Sequence, residues 1–156
     1  MNLNESLSSQ SFMLNEQIAR QVFEVLPEQG PILLIMDRNG HSWPSDSGKF
    51  AKLNMSESFL KELCAKIDDG AEPVITQIND CGIVAAQLAT ERSNCGYVIM
   101  ALPQYNPEST LINIDLIEIL LSQFGLIAKL IEKNNLLYET QMKYYRAYNQ
   151  SEIASN

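Results

Sequence analysis

Basic residues are scarce in this sequence: 11 lysines and arginines face 19 acidic residues, for a formal charge of −8 over 156 residues. The few cations stand singly or in thin pairs, and a phosphate-binding surface needs them clustered, so a nucleic-acid footprint is excluded. The same deficit removes affinity for an anionic membrane. Long apolar runs are missing too. Asp115, Glu118, Ser122 and Gln123 break the best candidate, far short of the ~18 residues that a span needs. Histidine occurs once, as His41, which stands beside a turn with Ser42 and Trp43 and reads as a solvent-facing strand residue rather than a base held by a third group. There is no CxxC or HxxxH spacing, which excludes the usual metal sites. Glycines are isolated at Asn39-Gly40 and Ser47-Gly48-Lys49 with no phosphate-cradling loop. Three cysteines, Cys64, Cys81 and Cys95, are odd in number and irregularly spaced, the pattern of reduced thiols in a cytoplasmic protein. The polar start MNLNESLSSQ lacks the basic and apolar regions of a signal peptide.

Proline is absent from the last quarter, residues 112–148, which holds one glycine, Gly125. There a seam in steps of three and four runs through Ile117, Leu120, Phe124, Ile127, Ile131, Asn134 and Tyr138, then Gln141 and Tyr145. That spacing predicts one long helix of ~55 Å with a seam fit for a second helix. Ser109 or Thr110 is placed to cap it. The amide of Asn134 within the seam is of the kind that sets register and partner number.

Upstream, residues 1–10 are polar and read as a frayed end. Apolar spacing predicts a helix over 11–26, ended by Pro27 and Gly30. ILLIM reads as a strand covered on both faces, Asp37-Arg38-Asn39-Gly40 as a hairpin turn with positive φ at Asn39 and Gly40, and His41-Ser42-Trp43 as the return strand. SDSGKF reads as a loop. A helix follows, capped within Asn54–Ser58 and stopped by Asp68-Asp69-Gly70. PVITQI, GIVAAQLAT and CGYVIMAL then form a three-stranded meander with short polar turns, antiparallel by connection length. The expected architecture is α+β: a five-stranded antiparallel sheet with the N- and C-terminal helices on one face, within one domain over 11–148 and a flexible tail over 149–156.

Three stretches carry a family resemblance: the hairpin LLIMDRNGHSW, the glycine-opened strand NCGYVIMALP and the terminal helix LIEILLSQFGLIAKLIEKNNLLYE. In these the chain resembles the GAF branch of the PAS/GAF sensory domains, over roughly residues 12–145. The resemblance implies a non-catalytic regulatory domain of signal transduction, a homodimer made by the terminal helices in parallel, and a downstream signalling partner. It also implies a small ligand on the sheet face away from those helices, with Trp43, Tyr97 and Met100 as candidates. No cofactor is indicated. The cyclic-nucleotide signature and the cysteine–histidine pair of bilin-binding members are absent. The small number of elements also resembles roadblock and longin modules, which share a profilin-like layout and act as dimerising scaffolds without a ligand. A third reading, a thiol-dependent reductase, rests on Cys81 and Cys95 as a redox pair near one hairpin.

Overall fold

A computed structural model describes residues 14–24, 26, 30–89, 94–103 and 105–154. The expected frayed stretch 1–10, residues 11–13 and residues 91–93 lie outside the described residues. The helix expected over 11–26 is shorter, because Asn15 caps it at one end and Glu24 at the other. Helix α1 (Glu16–Phe23) opens at Asn15, whose side-chain oxygen accepts the Ile18 N–H, and buries Ile18, Ala19 and Val22. Strand β1 (Ile32–Asp37) is buried along almost its whole length, because both of its sides are covered. Leu33 and Ile35 face one cluster of apolar side chains, and Ile32, Leu34 and Met36 face another.

The turn into β2 (Ser42–Pro44) is held by Asp37. One of its carboxylate oxygens accepts the backbone N–H groups of Asn39 and His41, both at 2.9 Å. Only Gly40 takes a positive φ (91°), and Asn39 does not, so the expected two-residue geometry gives way to a longer turn braced by the aspartate. The segment expected as a loop after β2 contains a short helix, α2 (Ser47–Ala51), because Asp46 caps it through the Lys49 N–H at 2.9 Å. Helix α3 (Glu57–Asp68) starts at Ser56, within the stretch that the sequence marks for a cap, and buries Leu63 and Ile67.

The meander is as expected: β3 (Val74–Ile78), β4 (Cys81–Ala89) and β5 (Asn94–Pro103) pair antiparallel. β5 also pairs with β1, giving a five-stranded sheet ordered β2-β1-β5-β4-β3. Gly96 lies where β5 runs close against β1: a Cβ there would fall inside the contact radius of the Met36 carbonyl oxygen.

A short separate helix precedes the long one, so Ser109 and Thr110, expected to cap the long helix, lie inside the short one. A capping box at Asn106, with Ser109 as its reciprocal partner, starts α4 (Pro107–Ile112). Thr110, fully buried, lies over Gly82 of β4, where a side chain would come within 2.9 Å of its hydroxyl. After Asn113 the chain turns into α5 (Ile114–Ala154), 41 residues long and so about 60 Å. It continues through most of the segment expected to be a tail, since that segment contains no glycine or proline to stop it. As expected, α1 and α5 share one face of the sheet, in a core of Ile18, Val22, Val84, Met100, Ile117, Phe124 and Ala128. α2 and α3 close the other face over Met36, Ile83, Tyr97 and Ile99. No helix among the described residues is long and apolar enough to cross a membrane.

Candidate functional site

Side-chain alternation on the strands decides where the three ligand candidates go. Tyr97 points into the core under α3, and its hydroxyl donates to the Asp68 carboxylate at 2.8 and 2.9 Å. Burial first, and then that hydrogen bond, push its pKa up to about 12. Met100, three residues on, points the opposite way and is completely buried beneath the terminal helices. Trp43, on the edge strand, packs against that same core and lines an open cleft of about 550 Å³ with Arg20, Phe23 and Pro44. Only Tyr97 therefore lies on the face away from the terminal helices, and the three do not converge on one cavity. Another cleft, of about 370 Å³, lies among Phe23, Leu26, Ile32 and Lys49. Among the described residues its polar side chains are those of Lys49, Ser45 and Asp46.

The thiols are separated by the pairing register. Cys81 stands opposite Pro103, whereas Gly96, next to Cys95, stands opposite Leu88. The two cysteines thus occupy opposite ends of the hairpin, roughly 24 Å apart at ~3.4 Å per residue, where a disulfide needs Cα atoms within about 7 Å. Cys81 opens β4 and Cys95 is second in β5, and antiparallel strands start at opposite ends; that signal was present in the sequence. Cys81 is buried, with its thiol toward the Gly82 carbonyl at 3.7 Å, and burial raises its pKa. Cys64 is raised too, by burial and then by the Asp68 charge. Both shifts withdraw the thiolate that thiol chemistry requires. The Cys95 side chain lies outside the described residues. His41 is exposed on the hairpin turn, its Nδ1 at 2.8 Å from Asp37. Among the described residues no three histidine, cysteine, aspartate or glutamate side chains gather as metal ligands would.

The seam expected to make a dimer is divided by the fold. Ile117 and Phe124 are buried in the chain's own core, while Asn134 and Tyr138 are exposed, and the Ile131 side chain is not among those described. Leu120 and Ile127 lie at the boundary. Helix geometry supplies the reason: a seven-residue repeat drifts by ~20° per heptad round a straight helix. Over the four heptads from Ile117 to Tyr145 the seam turns by about 80° from the core toward solvent.

A second stripe lies one residue earlier at each step: Leu116, Ile119, Gln123, Leu126, Leu130, Lys133, Leu137, Thr140, Tyr144. One residue is about 100° of rotation, which carries it roughly 150° from the buried line of Ile117, Phe124 and Ala128. Its apolar members are between 51% and 80% exposed. The last buried residue of α5 among those described is Glu132, so some twenty residues of helix continue beyond it, about 33 Å at 1.5 Å per residue. A helix with little tertiary packing is marginal in water. Exposed leucines and isoleucines aligned along one side of a helix, here interrupted by Gln123, Lys133 and Thr140, are more than the scattered apolar residues of an ordinary surface. This outer face of α5 is the candidate functional surface.

No family model matches the chain, and neither the curated proteins nor the solved structures contain a match.

Proposed function

We propose that this chain is a non-catalytic, GAF-like regulatory domain of signal transduction that acts in the cytoplasm by association. The outer face of α5 carries the reading: an apolar stripe, turned away from the domain's own core, on a helix that runs on past it. The five-stranded antiparallel sheet with both terminal helices on one face is the layout that the resemblance implies. A change of pitch or register in α5 would be the two-state element that passes a signal onward to a downstream protein or domain.

A ligand-free scaffold of the roadblock or longin kind is favoured by a different observation. The sheet face on which a small ligand was expected is filled by α2 and α3, with Tyr97 tied to Asp68. A reductase has less support, given the separation of Cys81 from Cys95 and the raised pKa of Cys81.

Native mass spectrometry of the full chain purified from cells tests these readings together. A dimer with no added mass is the result expected of an association module. A dimer that retains a small mass would make it a ligand sensor. A monomer would refute association as its mode of action.

A further inference from the structure

The outer stripe of α5 keeps steps of three and four from Leu116 through to Tyr144, and the exposed Ile112 precedes it at the end of α4, before the turn at Asn113. Apart from Gln123, Lys133 and Thr140 its members are apolar. Two properties specify what covers it. The period is 3.5 rather than 3.6, which suits a second helix winding round this one. The repeat also persists beyond the three to four heptads that mark a coiled coil.

We propose that the occupant is α5 of a second copy, running antiparallel, with Leu126 of each chain against Leu130 of the other across a two-fold axis. This rests on the association reading above and adds its partner, direction and register. In a parallel pair every seam residue meets its own copy, so Lys133 would face Lys133 in the middle of an apolar layer, with Gln123 against Gln123 in another. Like charges opposed in a desolvated layer are strongly disfavoured. The antiparallel register removes both conflicts. Gln123 lies opposite the partner's Lys133 twice, its amide oxygen accepting from the ammonium while the lysine stem lies along the seam. Ile119 meets the partner's Leu137 and Leu116 meets Thr140. At the flanks Asp115 runs beside the partner's Lys143, an opposite-charge pair. Sliding one helix by a heptad either way sets Lys133 against Leu130 or Leu116, so the register is specified by the polar pair. One like-charge contact remains, Lys129 beside its own copy near the axis, at the half-exposed margin of the seam. The domain lies on the other side of α5, with Ile117 and Phe124 turned into its core, and leaves the stripe clear.

The test uses the native chain. Light scattering after size exclusion should report a dimer, and a zero-length carbodiimide reagent should join Asp115 to Lys143 in that dimer. Within one helix these residues are about 42 Å apart along the axis, so the bond can form only between chains. Leu130→Lys, at a position 57% exposed in the single chain, should leave the fold intact by circular dichroism. It should weaken the dimer at least about thirty-fold, as expected for a charge placed at the centre of an interface, and abolish the cross-link. A dimer that never yields the Asp115–Lys143 bond, but in which an amine-reactive linker joins Lys133 to Lys133, would be parallel. That would overturn the proposed direction while leaving association standing. A dimer indifferent to Leu130→Lys would remove the stripe as its interface. A monomer at all accessible concentrations would overturn both readings.

Discussion

Phe124 separates the two uses of the long helix, because it belongs to the seam suited to a partner and yet is only 3% exposed within its own chain. It packs between the sheet and α1, with Ile117 and Ala128 on the turns beside it. Ala128 is fully buried and has no bulk to spare, so truncation at Phe124 leaves a space that the neighbouring turns cannot fill. Phe124→Ala should therefore cost about 3–5 kcal/mol, a large part of the ~5–15 kcal/mol by which such domains are stable. At a urea dependence of ~2 kcal/mol per molar, the unfolding midpoint falls by roughly 1.5–2.5 M. Leu130→Ala, about a third of a turn round on the outer face, should change the stability of the separated chain by less than about 0.5 kcal/mol. The assay is urea unfolding followed by circular dichroism over a wide range of protein concentration. The Phe124→Ala loss should persist on dilution, since the missing contacts lie within one chain, whereas any effect of Leu130→Ala should fade as the chains separate. A Phe124→Ala loss below about 1 kcal/mol would refute the placement of this side chain in the core. So would a loss that vanishes on dilution.

Gly96→Ala drives a Cβ into the Met36 carbonyl at the β1–β5 contact. The strands must part, at a cost of at least ~3 kcal/mol, and the thermal midpoint should drop by about 6–12 °C; a variant melting with the parent would show that the close approach is absent. Tyr97, with its pKa raised to about 12, keeps its proton in the folded state while the unfolded chain loses its own near the ordinary value of 10. Between those values the unfolded state binds fewer protons, so the stability from Tyr97 is fully present below pH ~10 and is lost as pH rises toward ~12. Ultraviolet titration should show one of the six tyrosines ionising late, and Tyr97→Phe should remove that late phase. The same substitution should cost about 1 kcal/mol at neutral pH through the lost Asp68 hydrogen bond. A Tyr97 that titrates with the others would contradict its burial against Asp68.

The order of elements was legible because local signals are strong: branched apolar runs, an Asn-Gly turn, short polar turns between strands, and a terminal stretch free of proline. Short connections between the last three strands forced them antiparallel, and the unbroken apolar run of β1 announced a strand covered on both sides. The small errors have local causes as well. Asp46 and Asn106 cap helices that begin in segments without apolar periodicity, where a sequence pattern has nothing to register. The candidate ligand set failed to converge for a reason of parity, since Tyr97 and Met100 are three apart on one strand and must face opposite ways.

What the sequence determined by itself is the period of α5, because the spacing of side chains along a helix is intrinsic to it. Two parallel stripes one residue apart satisfy the same seven-residue repeat, and periodicity cannot choose which of them faces inward. Packing made that choice. Ile117, Phe124 and Ala128 are the residues that meet α1 and β4, which turns Leu116, Ile119, Leu126 and Leu130 to the outside. The rotation of a helix about its own axis is decided by contacts with distant segments, and so only the tertiary structure reveals the face left for a partner.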